Sequence, residues 1–356
     1  MKNVMKIIGL FVIVTFLLAA CGGGQAGPVT QVNDSLTILE WSGYETETYW
    51  EPFAAEHPDI QPEYAFFGED AEALSKAQTG FSFDLAHPCG SWWGLWVEAG
   101  LVQPIDTSRL EHFDELFPEL AEKGVINGQQ YFVPWDWAFE SITVRTDLIE
   151  EVPDSWGDLW DPQYAGHVAI FDSGESTFLT AAYSLGIDPY NTTPEQQEQI
   201  KQRLIELKPN LLTYWIDYTE INQLLASGDV WVGANTWNDA WATLNDEGIA
   251  VEYVDPVEGR ISYSCGFGIS ANTENLDLAY DYIDALIDPQ SNANMANDYY
   301  YGAANMNSIE LLDPALVEKF HFDDPSVLSQ TNFQQPLTQE QREMMTTIWN
   351  EVKAEQ

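Results

Sequence analysis

Residues 35–87 read "SLTILEWSGYETETYWEPFAAEHPDIQPEYAFFGEDAEALSKAQTGFSFDLAH". "SLTILEW" alternates apolar and polar residues and predicts a strand, with a turn at "SGYE". "TYWEPFAAEHPDI" predicts an amphipathic helix ending near Pro58. "QPEYAFFG" is a second strand, "DAEALSKAQTG" a helix closed by Gly80, and "FDLAH" a third strand. Strand–helix–strand alternation is the pattern of a parallel α/β sheet with helices on its faces. In such sheets ligands sit beyond the carboxyl ends of the strands. The next residues, "PCGSWWGLW" (88–96), set three tryptophans directly after the third strand. Tryptophan carries one N–H that must be satisfied wherever the ring is buried. The position of this stretch reads as a binding wall.

The same rhythm continues. "QYFVPWDWAFESITVRTDL" predicts two strand pieces around "PWDW". "HVAIFD", "DVWVGANTW" and "IAVEYVDP" read as strands, and "STFLTAAYSLG", "PEQQEQIKQRLIELK", "LDLAYDYIDALID" and "QEQREMMTTIWNEVKAE" as helices. The chain has 356 residues, comfortable for two domains. Its start has the order of a bacterial lipoprotein signal: basic "MKNVMK", apolar "IIGLFVIVTFLLAA", then Cys21 after small residues. Residues 1–20 are read as signal peptide, Cys21 as the lipidated first mature residue, and 21–35 as a flexible tether. No other stretch is long and apolar enough to span a membrane. The location expected is extracytoplasmic, anchored to the cell membrane by lipid only, at the cell surface or in the periplasm.

Thirteen basic residues against 57 acidic ones leave a net charge of −44. Such a field repels nucleic acid, which is excluded as a partner, and draws in cations. The acids are scattered, which also fits adaptation to a salty or acidic habitat. Beyond Cys21 only Cys89 and Cys265 remain, an even pair in a compartment that permits disulfides.

Catalytic signatures are not found: the sequence holds no GxSxG, GxxxxGK[ST] or HExxH, and His57, His87, His112, His167 and His321 do not pair at metal-ligand spacing. No cofactor and no metal is expected. Aromatic rings beside acids and amides recur instead: Trp41 and Tyr44, Trp92 and Trp93, Trp135–Asp136–Trp137, Trp237–Asn238–Asp239, Tyr263 and Tyr301. For any one ring core packing is the default; the group at strand ends carries the reading. Ring faces attract cations and a neighbouring carboxylate adds direct charge, so such a cage suits an amine or quaternary ammonium. Sugars stack on rings too. Adjacent tyrosines at 299–301 leave a ferric-ion binder open, and acid pairs such as Asp136 and Glu140 leave a glycan-active enzyme open.

"VPDSWGDLWDPQYAGHVAIFD" (152–172) closely resembles a signature of the spermidine/putrescine-binding proteins, solute-binding subunits of ABC importers. "LEWSGYETETYWEPFAAEHPDI", "FDLAHPCGSWWGLWVEAGLVQPID", "YFVPWDWAFESITVRTDL", "LGIDPYNTTPEQQEQIKQRLIELKP" and "YYYGAAN" fall in the family's order. The resemblance implies an α/β, two-lobed periplasmic-binding-protein fold, type II-like, each lobe a sheet flanked by helices, with crossover hinge strands. Lobe 1 would be 36–139 plus 266–309 and lobe 2 would be 140–265 plus 310–356. It also implies a non-enzymatic receptor, expected to be a monomer, that hands its solute to an ABC permease.

In polyamine binders aromatics sandwich the aliphatic chain while acids pair with the amines. By position, Trp41, Tyr44, Trp237, Tyr263 and Tyr301 match aromatic contacts and Gln334 a polar one. The family's acids fall here on Gly43, Ser173, Ser176 and Cys265, with Glu175 one residue away, and Cys89 stands at a serine position. Asp136, Glu140 and Asp239 lie beside the aromatics and could replace missing anchors. Both cysteines map to the cleft, which makes a Cys89–Cys265 bridge a candidate. The expected ligand set is Trp41, Tyr44, Ser91, Trp92, Asp136, Trp137, Glu140, Glu175, Trp237, Asp239, Tyr263, Tyr301 and Gln334. A polyamine-like or other small organic cation fits it; a zwitterion or neutral solute remains an alternative.

Overall fold

A computed structural model describes residues 35–355; the signal peptide, Cys21 and nearly all of the expected tether lie outside the described residues. The tether reading overran by one residue, since Ser35 already opens the first strand. No helix among the described residues is long and apolar enough to cross a membrane.

The strand Ser35–Trp41 pairs in parallel with Gln61–Phe67 on one side and with Leu85–Ala86 on the other. Farther along the chain Val168–Phe171 pairs in parallel with Leu211–Trp215 and Val232–Thr236. Both parallel groups are thus built as their sequence alternation requires. Two long antiparallel strands join them: Phe132–Arg145 and Ile261–Ser270, in register from Ile261 opposite Glu140 to Gly268 opposite Phe132. The main path of the resulting sheet runs Gln61–Phe67, Ser35–Trp41, Leu85–Ala86, Ile261–Ser270, Phe132–Arg145, Val232–Thr236, Val168–Phe171, Leu211–Trp215.

Expected as two pieces, Phe132–Arg145 is one strand of 14 residues. Pro134, which predicted the break, sits where the register with Ile261–Ser270 slips between Cys265 and Gly266. A bulge is where a central strand tolerates a proline, because the ladder is already interrupted there.

The long strands feed two separate cores. Val133, Trp135, Trp137 and Phe139 pack with Leu36, Phe53, Phe267 and Tyr282. Ile142, Val144 and Ile261 pack with Trp156, Phe178 and Trp349. One strand in two cores makes the crossover a stiff axis between two lobes. The 310–333 stretch, expected with lobe 2, touches both sides: the Phe320 ring lies 5.6 Å from Trp241 and 5.5 Å from Tyr253, while Leu312, Leu316, Phe322, Leu328 and Phe333 share a core with Trp135 and Trp137. The ring of Phe322 lies 5.2 Å from that of Trp137, and burying such rings outweighs continuity of the chain.

"PCGSWWGLW" is not a loop wall. It becomes the helix Gly90–Glu98, in which Trp93 and Trp96 are buried among Leu39, Phe67 and Leu74. Trp93 stacks on Phe132 at 4.7 Å and donates its indole N–H to the Pro88 carbonyl at 2.7 Å. Trp92, a quarter-turn round the helix, stays half-buried.

Candidate functional site

Alternation along Phe132–Arg145 explains how the site is loaded. Trp135, Trp137 and Phe139 face the first core, so Asp136 and Glu140 face the opposite side. Asp136 is 1% exposed. Its Oδ2 lies 3.5 Å from His87 Nε2, too far for a strong hydrogen bond, and its Oδ1 is buried with no partner. His87 Nδ1 lies 2.6 Å from Glu40 Oε1. Burial opposes a charge on His87, but Glu40 and Asp136 together outweigh it and push the imidazole up to about 9. Burial also raises Glu40, against the pull of His87.

Around this buried acid–histidine–acid row stand four tyrosines. Tyr44 stacks on Tyr299 at 4.4 Å and 6°, and its edge meets His87 at 5.5 Å. Tyr301 stands 5.7 Å from Tyr299 and 6.0 Å, edge-on, from Tyr263. Burial first, and the Asp136 charge with it, raise the phenols of Tyr44, Tyr263 and Tyr301. They are therefore neutral donors and ring faces, not phenolates. Tyr299 also explains a missing acid. Gly43 has φ +105°, and a Cβ there would lie 2.5 Å from Tyr299 Oη, so no side chain fits where the resemblance expects a carboxylate. Asp239, in the first turn of Asn238–Asp246, charges this group from the other lobe. After burial it is the leading influence on Tyr301. Burial pushes Asp239 itself up to about 6, against a hydrogen bond from Asn222.

A second, more polar group lies along the same crossover. Glu140 is 3% exposed. Gln334 Nε2 donates to its Oε1 at 3.3 Å and Asn235 Nδ2 to its Oε2 at 3.4 Å. Burial pushes Glu140 up to about 8, against these hydrogen bonds. Asn235 takes φ +59°, rare for a residue other than glycine; it sits at the register slip in Val232–Thr236. Glu175 Oε2 accepts from Ser91 Oγ at 3.2 Å and pairs with Arg342 Nη1 at 3.1 Å, while its Oε1 is buried without a partner. The Arg342 guanidinium lies 3.6 Å from the Trp92 ring centroid. Cys89 and Cys265 form a disulfide that ties the start of the Gly90–Glu98 helix to the strand Ile261–Ser270. It stands beside Asp70, whose Oδ1 accepts the Cys89 N–H at 2.9 Å.

Of the expected residues, Tyr44, Asp136, Tyr263 and Tyr301 come together as one group, and Glu140, Gln334, Ser91, Trp92 and Glu175 belong to the second, as a Glu140–Gln334 contact and a Ser91–Trp92–Glu175 corner. Trp41 borders the first group, donating its indole N–H to the His87 carbonyl at 2.9 Å while its ring packs on Phe67. Trp237 packs on Phe171 and Trp215 at 5.5 Å each, two residues before Asp239. Trp137 is a correction. It is 1% exposed, donates its N–H to the Ala303 carbonyl at 3.0 Å, and presses on Gly302, where no Cβ would fit. The strand's alternation turns it into the core. Sequence reasoning missed Glu40, His87, Asn235 and Arg342, and raised Tyr299 only as part of a ferric-ion alternative. Arg342 carried one readable signal: in a chain this poor in bases, each base is unusual.

A cavity of about 580 Å³ adjoins the polar group, lined by Gly90, Tyr183, Tyr190, Ser264 and Gln334 among others. Among the described residues no cluster of His, Cys, Asp and Glu could hold a metal ion.

The family model for bacterial extracellular solute-binding proteins matches residues 48–322. The spermidine/putrescine-binding periplasmic protein of Salmonella typhimurium is 28% identical over 315 residues, covering 87% of this chain and 89% of that protein. Two solved structures share the fold. The spermidine/putrescine ABC transporter substrate-binding protein PotD of Streptococcus pneumoniae superposes with a TM-score of 0.78 at 22% identity, over 90% of this chain and 98% of that one. The Tp0655 (TpPotD) lipoprotein of Treponema pallidum gives 0.76 at 18% identity, over 89% and 99%.

Proposed function

Because the chain belongs to the bacterial extracellular solute-binding proteins, we propose that it is the lipid-anchored receptor of an ABC importer and binds a small organic cation between its lobes. The observation that carries this reading is Asp136 Oδ1: a buried carboxylate oxygen with no partner, set among the rings of Tyr44, Tyr263 and Tyr301. A buried charge left half-paired is costly, and a cation against those rings would complete it. The names of the relatives, spermidine- and putrescine-binding proteins, agree with an amine.

Tyr44, Asp136, Tyr263 and Tyr301 contact the cation. Asp239 contributes charge from lobe 2, and Trp41 and Trp237 frame the two sides. Ring contacts at about 1 kcal/mol each with one charge-assisted hydrogen bond of about 1.5–3 kcal/mol supply a large part of the roughly 8 kcal/mol of micromolar affinity. Contacts from both lobes favour the closed form over the open one, so ligand shifts the population towards closure. The permease reads that closed shape. Cys21 holds the receptor at the membrane by its lipid, and the receptor works as a monomer.

A ligand panel followed by thermal unfolding tests the reading. Organic amines and quaternary ammonium ions are expected to raise the melting temperature. Stabilisation by sugars or anions, with no response to any amine, refutes it.

A further inference from the structure

We propose that Arg342 is a specificity residue: its guanidinium fills the Trp92–Glu175–Ser91 corner as a built-in cation, so the solute presents one positive group, not two. This rests on the cationic-solute reading above and narrows it.

The corner has the parts of a cation receptor. It offers an indole face, a carboxylate, a hydroxyl and a backbone carbonyl. Arg342 uses all of them. Its guanidinium carbon lies 3.6 Å from the centroid of the Trp92 ring. Nη1 donates to Glu175 Oε2 at 3.1 Å. Nη2 donates to the Ser91 carbonyl at 2.9 Å, and lies 3.4 Å from Ser91 Oγ. The Arg342 and Glu175 side chains are 13% and 12% exposed, so the pair is shielded from the solvent that weakens surface ion pairs. The bidentate reach and the ring stack suit arginine and would not suit lysine equally.

Arg342 projects from the helix Gln339–Ala354. That helix packs on Gly174–Ser184, whose first turn carries Glu175. Ser91 and Trp92 belong to the Gly90–Glu98 helix of lobe 1. The arginine therefore arrives from lobe 2 and occupies a lobe 1 surface. Three residues expected to hold ligand are already engaged by the chain's own charge.

The remaining anchors are unequal. Asp136, among the tyrosines, keeps an unpartnered oxygen and has no arginine or lysine beside it, whereas Glu175, with one unpartnered oxygen too, is held through the other by Arg342. Glu140, between the two groups, is held largely uncharged at neutral pH by its burial. A diamine anchored at Asp136 whose far ammonium reached the corner would meet a guanidinium already paired with Glu175. Like charges in a shielded site repel. A monocation meets no such cost.

Calorimetry on the intact mature protein tests this with four probes: butylamine and choline as monocations, 1,4-diaminobutane and spermidine as polycations. Wild type is expected to bind a monocation at least tenfold more tightly than 1,4-diaminobutane. Arg342→Gln frees the corner and should shift that ratio at least tenfold towards the diamine. Arg342→Lys keeps the charge and should keep the monocation preference. Tighter wild-type binding of the diamine overturns the inference while leaving the amine-receptor reading intact. So does a ratio that Arg342→Gln, shown folded by its melting curve, does not move. If Arg342→Gln does not fold, the wild-type ratio and Arg342→Lys decide. Binding of none of the four overturns both this inference and the function it rests on.

Discussion

Glu140→Gln should flatten one part of the dependence of stability on pH, and the size of the effect follows from where Glu140 sits. The carboxyl is 3% exposed, and burial raises it from 4.5 to about 8. The folded protein therefore keeps this proton up to about pH 8, whereas the unfolded chain releases it near 4.5. In between, the folded state binds more protons, so stability falls as pH rises. Over the interval from pH 5 to pH 8 the linkage amounts to about 3 kcal/mol. Glutamine keeps the shape and can accept one of the two hydrogen bonds that Gln334 and Asn235 donate to Glu140, but cannot ionise; the contact it loses weakens the variant at both pH values alike. Urea unfolding followed by tryptophan fluorescence, at pH 5 and pH 8, measures both proteins. Other groups slope the same way: Asp70, pushed up to about 7 by burial, Asp239, up to about 6, and His87. The His87 contribution is present below pH 6.5 and is lost as pH rises through about 9. These act in both proteins and cancel in the difference. The variant should gain about 3 kcal/mol on wild type between the two pH values. Parallel profiles would show that Glu140 is ionised in the folded protein at neutral pH, and would remove the argument that it offers a second amine no charge to pair with.

Two further outcomes follow from the same geometry. Thiol titration of denatured, non-reduced mature protein should find Cys89 and Cys265 unreactive. Because their bridge spans 176 positions, reduction should cost about 2–4 kcal/mol in urea unfolding; two reactive thiols in unreduced protein would refute the bridge. Trp93→Ala should cost about 3–5 kcal/mol, since Trp93 is stacked on Phe132 in the core, yet leave amine affinity within twofold by calorimetry. A large loss of affinity in a folded variant would return this ring to the binding wall.

The individual strands and helices were readable because periodicity is local. Ser35–Trp41, Gln61–Phe67 and the long helices at 194–207 and 339–354 stand where alternation and 3.6-residue spacing put them. What failed depended on partners distant in sequence. Pro134 suggested a break, but a bulge opposite Cys265 absorbs it. Trp137 looked equivalent to its neighbours until Gly302 and Phe322 closed over it. Gly43 read as a lost anchor, whereas Tyr299, 256 residues later in the chain, fills that space. Glu40, His87 and Asp136 are separated by tens of residues and become one row only when the two antiparallel crossover strands bring Leu85–Ala86 beside Ile261–Ser270.

Aromatic abundance, taken alone, was an ambiguous sign of a ligand, and the distribution of bases removes the ambiguity. The chain's scarce cations are themselves placed on rings. Arg109 lies over Tyr280, Arg203 over Trp160 and Arg260 over Phe139. Lys123 lies over Phe333, Lys353 over Trp349 and Arg342 over Trp92. A ring beside an acid therefore often serves an internal charge, and most such pairs report stability. Tyr44, Tyr263, Tyr299 and Tyr301 differ: among the described residues no lysine or arginine stands over any of them, although the charges of Asp136 and Asp239 act on this group. In a protein that spends its lysines and arginines on aromatic faces, the rings that none of them covers, with only His87 beside them, are the ones we propose for a cation from outside.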